Sequence, residues 1–234
     1  MNKIKIEILV ATSLSIEDYE KSCCGIILSK LIEFTNMEGK YVVTRRLETN
    51  NATGIPALVN SRIEKTDADY LVFIHDDVEL RDICFADILT QYHKDFSILG
   101  LAGSKRQNYS AIDVCTWDRS SEYTAYWSGF VAHKQKEENI TSNYFGVTPS
   151  NVCVLDGLFL SFHVDNVRKA NLVFDEQFEF HHYDLSMCLD AHKKGLTLST
   201  IPLFVLHHSI GELDGNWQQS ASNFFQKYKG IHKV

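Results

Sequence analysis

One feature constrains the fold of this chain more than any other: apolar runs of strand length alternate with segments whose apolar residues recur at helical spacing. "KIKIEILVAT" (residues 3–12) alternates and then becomes wholly apolar, as a strand entering a sheet does. Ile16, Tyr19, Cys23, Ile26, Ile27, Leu31 and Phe34 then fall on one helical face, and Ser15 with Asp18 makes a capping pair for a helix there. "KYVVTRRL" reads as a second strand. "NNATGIPALVNSRIEKT" turns and starts a helix near Pro56, whose missing amide proton costs nothing in a first turn. "YLVFI" is continuously apolar, as a strand covered on both faces should be. "FADILTQYHKDF" is helical in period, and "SILGLAG" reads as one more short buried strand. This pattern predicts an α/β fold: a mainly parallel central sheet with helices on both faces, joined by a smaller region in the second half.

In such sheets ligands bind beyond the carboxyl ends of the strands. Thr12, Arg45–Arg46 and His75–Asp77 stand at predicted strand ends, so they are expected to converge on one crevice. Beyond residue 107 the pattern loosens. "TAYWSGFVAH" reads as a strand and "KQKEENITSNYFGVTPS" as an exposed polar loop. "NVCVLDGLFLSFHV" is apolar except for Asp156–Gly157 in its middle. "DLSMCLDAHKKG" is a helix with Gly195 as its C-cap, and "LTLSTIPLFVLHHS" is strand-like up to His207–His208. Trp217, Ala221, Phe224, Phe225 and Tyr228 recur at helical spacing in the tail. The chain reads as one domain, with residues 1–107 and 108–234 as its two halves.

Composition narrows the function classes. A net charge of −7 argues against a nucleic-acid or membrane-surface binder, which needs a basic face. No run of about 18 apolar residues predicts a membrane-spanning helix. The N-terminal run is too short, and too interrupted by Lys and Glu, for a signal peptide. Six cysteines without C-x-x-C spacing predict reduced, buried thiols and a cytoplasmic location.

Several residues carry chemistry. Alternate residues of a strand share a face, so His75 and Asp77 point the same way and Asp76 the other. Carboxylate oxygens suit Mg²⁺ and Mn²⁺, and Mn²⁺ also accepts imidazole. Acids after a strand also cap the next helix, so the segment alone leaves both readings open. His207 and His208 end a later apolar strand, and one of them is a candidate further ligand; a buried histidine bonded to backbone is the alternative. Asp184 opens a helix, as an N-terminal acid or as a general base beside His181, His182 and Tyr183. Asp156 is costly to bury unless paired, and Gly157 implies that a ligand or backbone passes close. Arg45, Arg46, Lys105 and Arg106 are candidates to meet a diphosphate, or solvated surface charge.

In order and content these segments resemble family 2 glycosyltransferases of the GT-A fold, especially small bacterial members, from about residue 4 to residue 228. "NATGIPALVN" stands loosely where the family has a helix start of the form N-x-G, with Gly54 three residues after Asn51, and Asn60 at its helix position. "FIHDDVEL" stands at the D-x-D motif, with His75 in place of the first Asp and Asp77 in that of the second. "VLDGLFLSF", "FDEQFEFHHYDLSMCLDAHKKG" and "IPLFVLHHS" follow in the family's order.

The resemblance implies a nucleotide-diphosphate sugar donor, an Mn²⁺ or Mg²⁺ ion on its phosphates, and an inverting transfer to a glycan, lipid-linked or other hydroxyl acceptor, at the inner membrane face if the acceptor lies there. By position, Asp77 with His75 or Asp76 holds the metal, one of His207 and His208 is the third ligand, and Asp184 is the base. Thr12, Arg46, Gly54, Asn60, Asp76, Asp156 and Gly157 line the nucleotide-sugar site. The chain departs from the family at His75, at Ser186 in place of a second acid, and in lacking an acidic second-strand end between Phe34 and Arg45, as if one βα unit were shortened. Two alternatives follow from these departures: a nucleotide-sugar or carbohydrate-binding protein on a decayed transferase scaffold, and a metal-dependent phosphoesterase using His75, Asp76, Asp77, His207 and His208.

Overall fold

A computed structural model describes residues 3–49, 53–107, 124–134, 139–209 and 215–229. The first strand, β1 (Ile4–Thr12), pairs in parallel with β2 (Tyr41–Thr49) on one side and with β3 (Tyr70–His75) on the other. Its alternation sorts residues between two cores. Ile6, Ile8 and Val10 pack with Tyr19, Leu28 and Leu31 of the helices on one face, while Leu9 packs with Ile55, Val59 and Ile63 of α3 (Gly54–Lys65) on the other. Glu7 faces α3 as well, and it is buried because Arg62 clasps both of its oxygens at 2.7 and 2.6 Å. Helices therefore cover both faces.

The helical segment after β1 is two helices rather than the single one expected: α1 (Ile16–Lys21) and α2 (Cys23–Met37). Ser22 makes the break. Its backbone amide closes α1 on Asp18 and Tyr19, while its hydroxyl accepts from the Gly25 amide at 3.0 Å to cap α2. The Ser15–Asp18 cap of α1 is as expected, with the Ser15 hydroxyl accepting from the Asp18 amide at 3.1 Å. The βα unit expected to be shortened is present: β2 runs nine residues beside β1, and the acid near its end, Glu48, is held by Arg46. Asn51, just beyond it, lies outside the described residues.

The central sheet is parallel through β2, β1 and β3 and mixed beyond them. The remaining elements are β4 (Val78–Leu80), α4 (Phe85–Tyr92), β5 (Ile98–Gly100), β6 (Ala102–Ser104), β7 (Trp127–Lys134), β8 (Ile140–Gly146), β9 (Ser150–Asn151), β10 (Val154–Leu155), β11 (Phe159–His163), α5 (Val164–Lys169), α6 (Tyr183–Lys193), β12 (Leu198–Thr200), β13 (Val205–His207) and α7 (Gly215–Lys227). Seven strands run in the order β2-β1-β3-β11-β5-β12-β9. β11 is antiparallel to both its neighbours and β9 to β12, whereas β5 and β12 are parallel. A second sheet has the order β10-β6-β7-β13-β4, with β8 added on β7.

Four segments are split between the sheets, and two of them, "SILGLAG" and "LTLSTIPLFVLHHS", each read as one strand. The chain leaves the first sheet at His75, turns through Asp76–Asp77 and enters the second at Val78. "SILGLAG" crosses at Leu101, "VCVLDGLFLSF" at Asp156–Leu158, and "LTLSTIPLFVLHHS" at Ile201–Phe204. The expected polar loop contains β8, an antiparallel edge strand in which Ile140 and Tyr144 stay exposed. An edge strand tolerates that polar sequence because one of its sides needs no partner. Cys24, Cys153 and Cys188 are buried free thiols, as expected; Cys23 and Cys84 are exposed, and Cys115 lies outside the described residues. The tail helix α7 packs back on the body, with Phe224 fully buried against Phe178.

Candidate active site

The site lies at the sheet-to-sheet crossings. Register brings Ala11 beside His75, so the end of β1 meets the Asp76–Asp77 turn. There the Thr12 hydroxyl donates to Asp76 Oδ2 at 2.5 Å and accepts from the Leu14 amide at 3.0 Å. Asp76 is thereby turned toward β1. Burial raises its pKa, the Thr12 bond opposes this, and the balance is upward.

His75 and Asp77 point into the crevice with His207, and one candidate ligand atom from each lies within 4.8 Å of the others. His207 Nε2 is 3.3 Å from Asp77 Oδ2. Burial alone would raise the Asp77 pKa, but the bond to His207 and the charges of His207 and His75 outweigh it and hold the group below the usual carboxylate range. Burial pushes His75 down to about 4, so its imidazole is neutral at neutral pH, the form that binds metal. Two atoms of this set, Asp77 Oδ1 and His207 Nδ1, are buried without a hydrogen-bond partner. Buried polar atoms are costly to leave unpaired, and their clustering in a set of one carboxylate and two imidazoles fits a divalent cation.

The second crossing supplies an acid pair. Asp184, in the first turn of α6 and 7% exposed, accepts from the Gly157 amide at 3.0 Å and from the Leu185 amide at 2.8 Å. Asp156 lies close enough that burial, and then the Asp184 charge, push its carboxyl up to about 6. Between them the Tyr183 hydroxyl lies 2.8 Å from the Gly157 carbonyl oxygen and 2.9 Å from His75 Nε2. A Cβ on Gly157 would sit 2.3 Å from that hydroxyl, so the close neighbour at this glycine is a tyrosine side chain rather than a ligand or backbone. Gly157→Ala is expected to cost about 3 kcal/mol, as overpacking a rigid buried site does, read as a lower midpoint in urea.

Other expected site residues are elsewhere. Arg46 is mid-strand, opposite Leu9, and is held by Glu48 at 2.6 Å; Arg45 is likewise held by Glu20. β2 continues past both of them, so neither stands at a strand end. Gly54 has φ of +80° and lies against the Glu179 backbone, which explains the glycine without a cofactor. Asn60 ties the "FDE" segment to α3, exchanging bonds of 2.9 and 2.7 Å with the Phe174 backbone. His208 turns away from His207 to Glu79 Oε1 at 2.6 Å, near Cys24. Arg81 holds the other Glu79 oxygen, so that buried acid is already paired.

Sequence reasoning missed two neighbours. Phe180 is 60% exposed and stacks on His75, with centroids 6.1 Å apart. His133 lies beside His207 in β7, with centroids 5.2 Å apart, and its Nδ1 donates to the Ser209 carbonyl. An aromatic residue next to a histidine-rich segment was the only signal for the first. Nothing in "GFVAH" marks the second, because strand register alone brings it there.

No curated protein sequence matches the chain. Its fold is similar to the catalytic domain of Drosophila β1,4-galactosyltransferase 7 solved with xylobiose, at 11% identity over 85% of this chain and 65% of that one, TM-score 0.51. It is similar also to S. aureus TarS solved with UDP-GlcNAc, at 11% identity over 89% and 60%, TM-score 0.50. A third similar structure is GalNAc-T7 solved with UDP, GalNAc and Mn²⁺, at 9% identity over 89% and 44%, TM-score 0.51. The chain therefore spans between 44% and 65% of the length of these three proteins, and the likeness is one of fold, the GT-A fold. Residues 17–228 match a family model described as "glycosyltransferase like", a stretch that includes β3, α6 and β13 and so the crossings that build the crevice; the chain belongs to that family.

Proposed function

We propose that this protein transfers a sugar from a nucleotide-diphosphate donor to a hydroxyl acceptor, with inversion, using a divalent cation held by His75, Asp77 and His207. The observation that carries this reading is the pair of orphaned buried atoms, Asp77 Oδ1 and His207 Nδ1, within one ligand set. A cation bound there supplies positive charge for the departing diphosphate. Two imidazoles favour Mn²⁺ over Mg²⁺, which prefers an all-oxygen shell. UDP and Mn²⁺ in the GalNAc-T7 complex, and UDP-GlcNAc in that of TarS, are in keeping with a donor and ion of this kind.

The protein's own residues do the rest. Thr12 orients Asp76 at the nucleotide side. Asp184 accepts the proton of the acceptor hydroxyl as its oxygen bonds to the anomeric carbon and the bond to the diphosphate breaks, the electron pair leaving on the diphosphate. The exposed face of Phe180 offers an apolar platform beside that event. In this reading residues 1–107 carry the donor and residues 108–234 the acceptor side, with His207 and Asp156 reaching back across. No helix among the described residues is long and apolar enough to cross a membrane.

The phosphoesterase alternative called on five ligands, but Asp76 turns to Thr12 and His208 to Glu79, which leaves three. A thermal-shift screen of nucleotide sugars with and without Mn²⁺ tests the proposal. One donor is expected to raise the melting temperature only when the metal is present, by an amount that grows with ligand concentration. A donor effect independent of metal, or none from any nucleotide sugar, would sink it.

A further inference from the structure

We infer that Tyr183 is a positioning residue: it holds the His75 imidazole as the Nε2–H tautomer, so that Nδ1 is the atom this histidine presents to a cation. This rests on the metal reading above and extends it to a residue 108 positions away in sequence.

A tyrosine hydroxyl has one hydrogen to donate. At Tyr183 that hydrogen goes to the Gly157 carbonyl at 2.8 Å, an oxygen that can only accept. The contact between the same hydroxyl and His75 Nε2, at 2.9 Å, is then complementary only if Nε2 carries the proton and donates. The reverse assignment, with Tyr183 donating to His75, would strand the Gly157 carbonyl in a buried site and is the costlier arrangement. The tautomer is thus set from outside the imidazole, and Nδ1 keeps its lone pair.

The arrangement answers a difficulty particular to this chain. A carboxylate offers chemically equivalent oxygens, but a histidine in the first position of a D-x-D-like motif must be told which nitrogen to present. Supporting hydrogen bonds to ligating histidines do this in metal sites generally. The device needs Gly157, because any Cβ there would occupy the place of the Tyr183 hydroxyl. It also joins the ligand to the acid pair, since Tyr183 grips the Gly157 carbonyl while its neighbour Asp184 grips the Gly157 amide.

The test is a double-mutant cycle read by Mn²⁺ affinity, measured by electron paramagnetic resonance on the full chain. Tyr183→Phe is expected to weaken Mn²⁺ binding by about 10- to 100-fold in the His75 protein. In a His75→Asp background, where no tautomer exists, the same change is expected to cost no more than about twofold. Equal losses in both backgrounds would show a merely structural role and overturn the inference, as would no loss in either. A second readout needs no metal: nitrogen-15 NMR of the metal-free protein is expected to show Nε2–H at His75, and a tautomer mixture in Tyr183→Phe. A wild-type protein that binds no Mn²⁺ yet shows the fixed tautomer would defeat the metal reading while leaving the Tyr183–His75 bond established. A mixture in the wild type would overturn the inference itself.

Discussion

Asp184→Asn is expected to lower kcat by about 10²- to 10⁴-fold, the range a positioned general base contributes, while donor affinity stays within about twofold of the parent. The asymmetry follows from the geometry. Asparagine keeps an oxygen for the Gly157 amide, which Asp184 engages at 3.0 Å, so the crossing between β10 and β11 stays in place. It removes the capacity to take a proton and, of the two backbone bonds, gives up the local one from the Leu185 amide. Titrating donor binding calorimetrically alongside single-turnover transfer separates the two effects. Loss of donor binding with an unchanged rate for the bound fraction would assign Asp184 to the donor site instead.

The same pair sets a pH dependence. Burial and the Asp184 charge push Asp156 up to about 6, and two such close acids titrate as a unit. Below that pH the pair holds a proton, so the rate is expected to fall about tenfold per pH unit. Asp156→Asn, which removes the neighbouring charge, should move this acid limb to lower pH.

The second large effect is expected at Asp77. Asp77→Ala should weaken Mn²⁺ binding by at least about 100-fold, more than loss of a supporting residue costs, and with it abolish any metal-dependent thermal shift from the donor. Its carboxylate is the sole negative charge of the three-residue set. His208→Ala is the control. It is adjacent in sequence to His207 but bonds Glu79, so its loss should lower the basal melting temperature by leaving a buried acid short of a partner, yet leave the Mn²⁺-induced shift intact. If His208→Ala removes the metal response and Asp77→Ala does not, the ligand set is wrong.

Much of the layout was readable in the sequence because period and capping are local. The strand "YLVFI", the helix beginning at Tyr183 and the tail helix all stand where spacing placed them. Of the residues expected to converge from strand ends, Thr12 and His75–Asp77 meet and Arg45–Arg46 do not; Asp156–Gly157 and Asp184 were expected there from the family resemblance alone. The failures share a different cause. A continuous apolar run such as "SILGLAG" does not disclose that its halves join different sheets, because both environments are equally buried. Arg46 and Asn60 were assigned to the ligand site by position in a pattern, but each is spoken for by a partner, Glu48 next door and Phe174 at a separation of 114 residues. The choice between His207 and His208 turned on which face of β13 meets Asp77, a matter of register that no single strand announces.

The place of β13 also bears on how the molecule is made. It is inserted between β7 and β4, and it is the strand against which β4 pairs. On a ribosome adding roughly 5–20 residues per second, the Val78–Leu80 edge must wait on the order of ten seconds for the chain that closes it. Throughout that interval the Asp76–Asp77 turn has no His207 to face. The crevice is therefore among the last parts of the molecule to assemble, and a nascent or prematurely ended chain offers chaperones and other chains an unpaired strand where the finished protein has its ligand set.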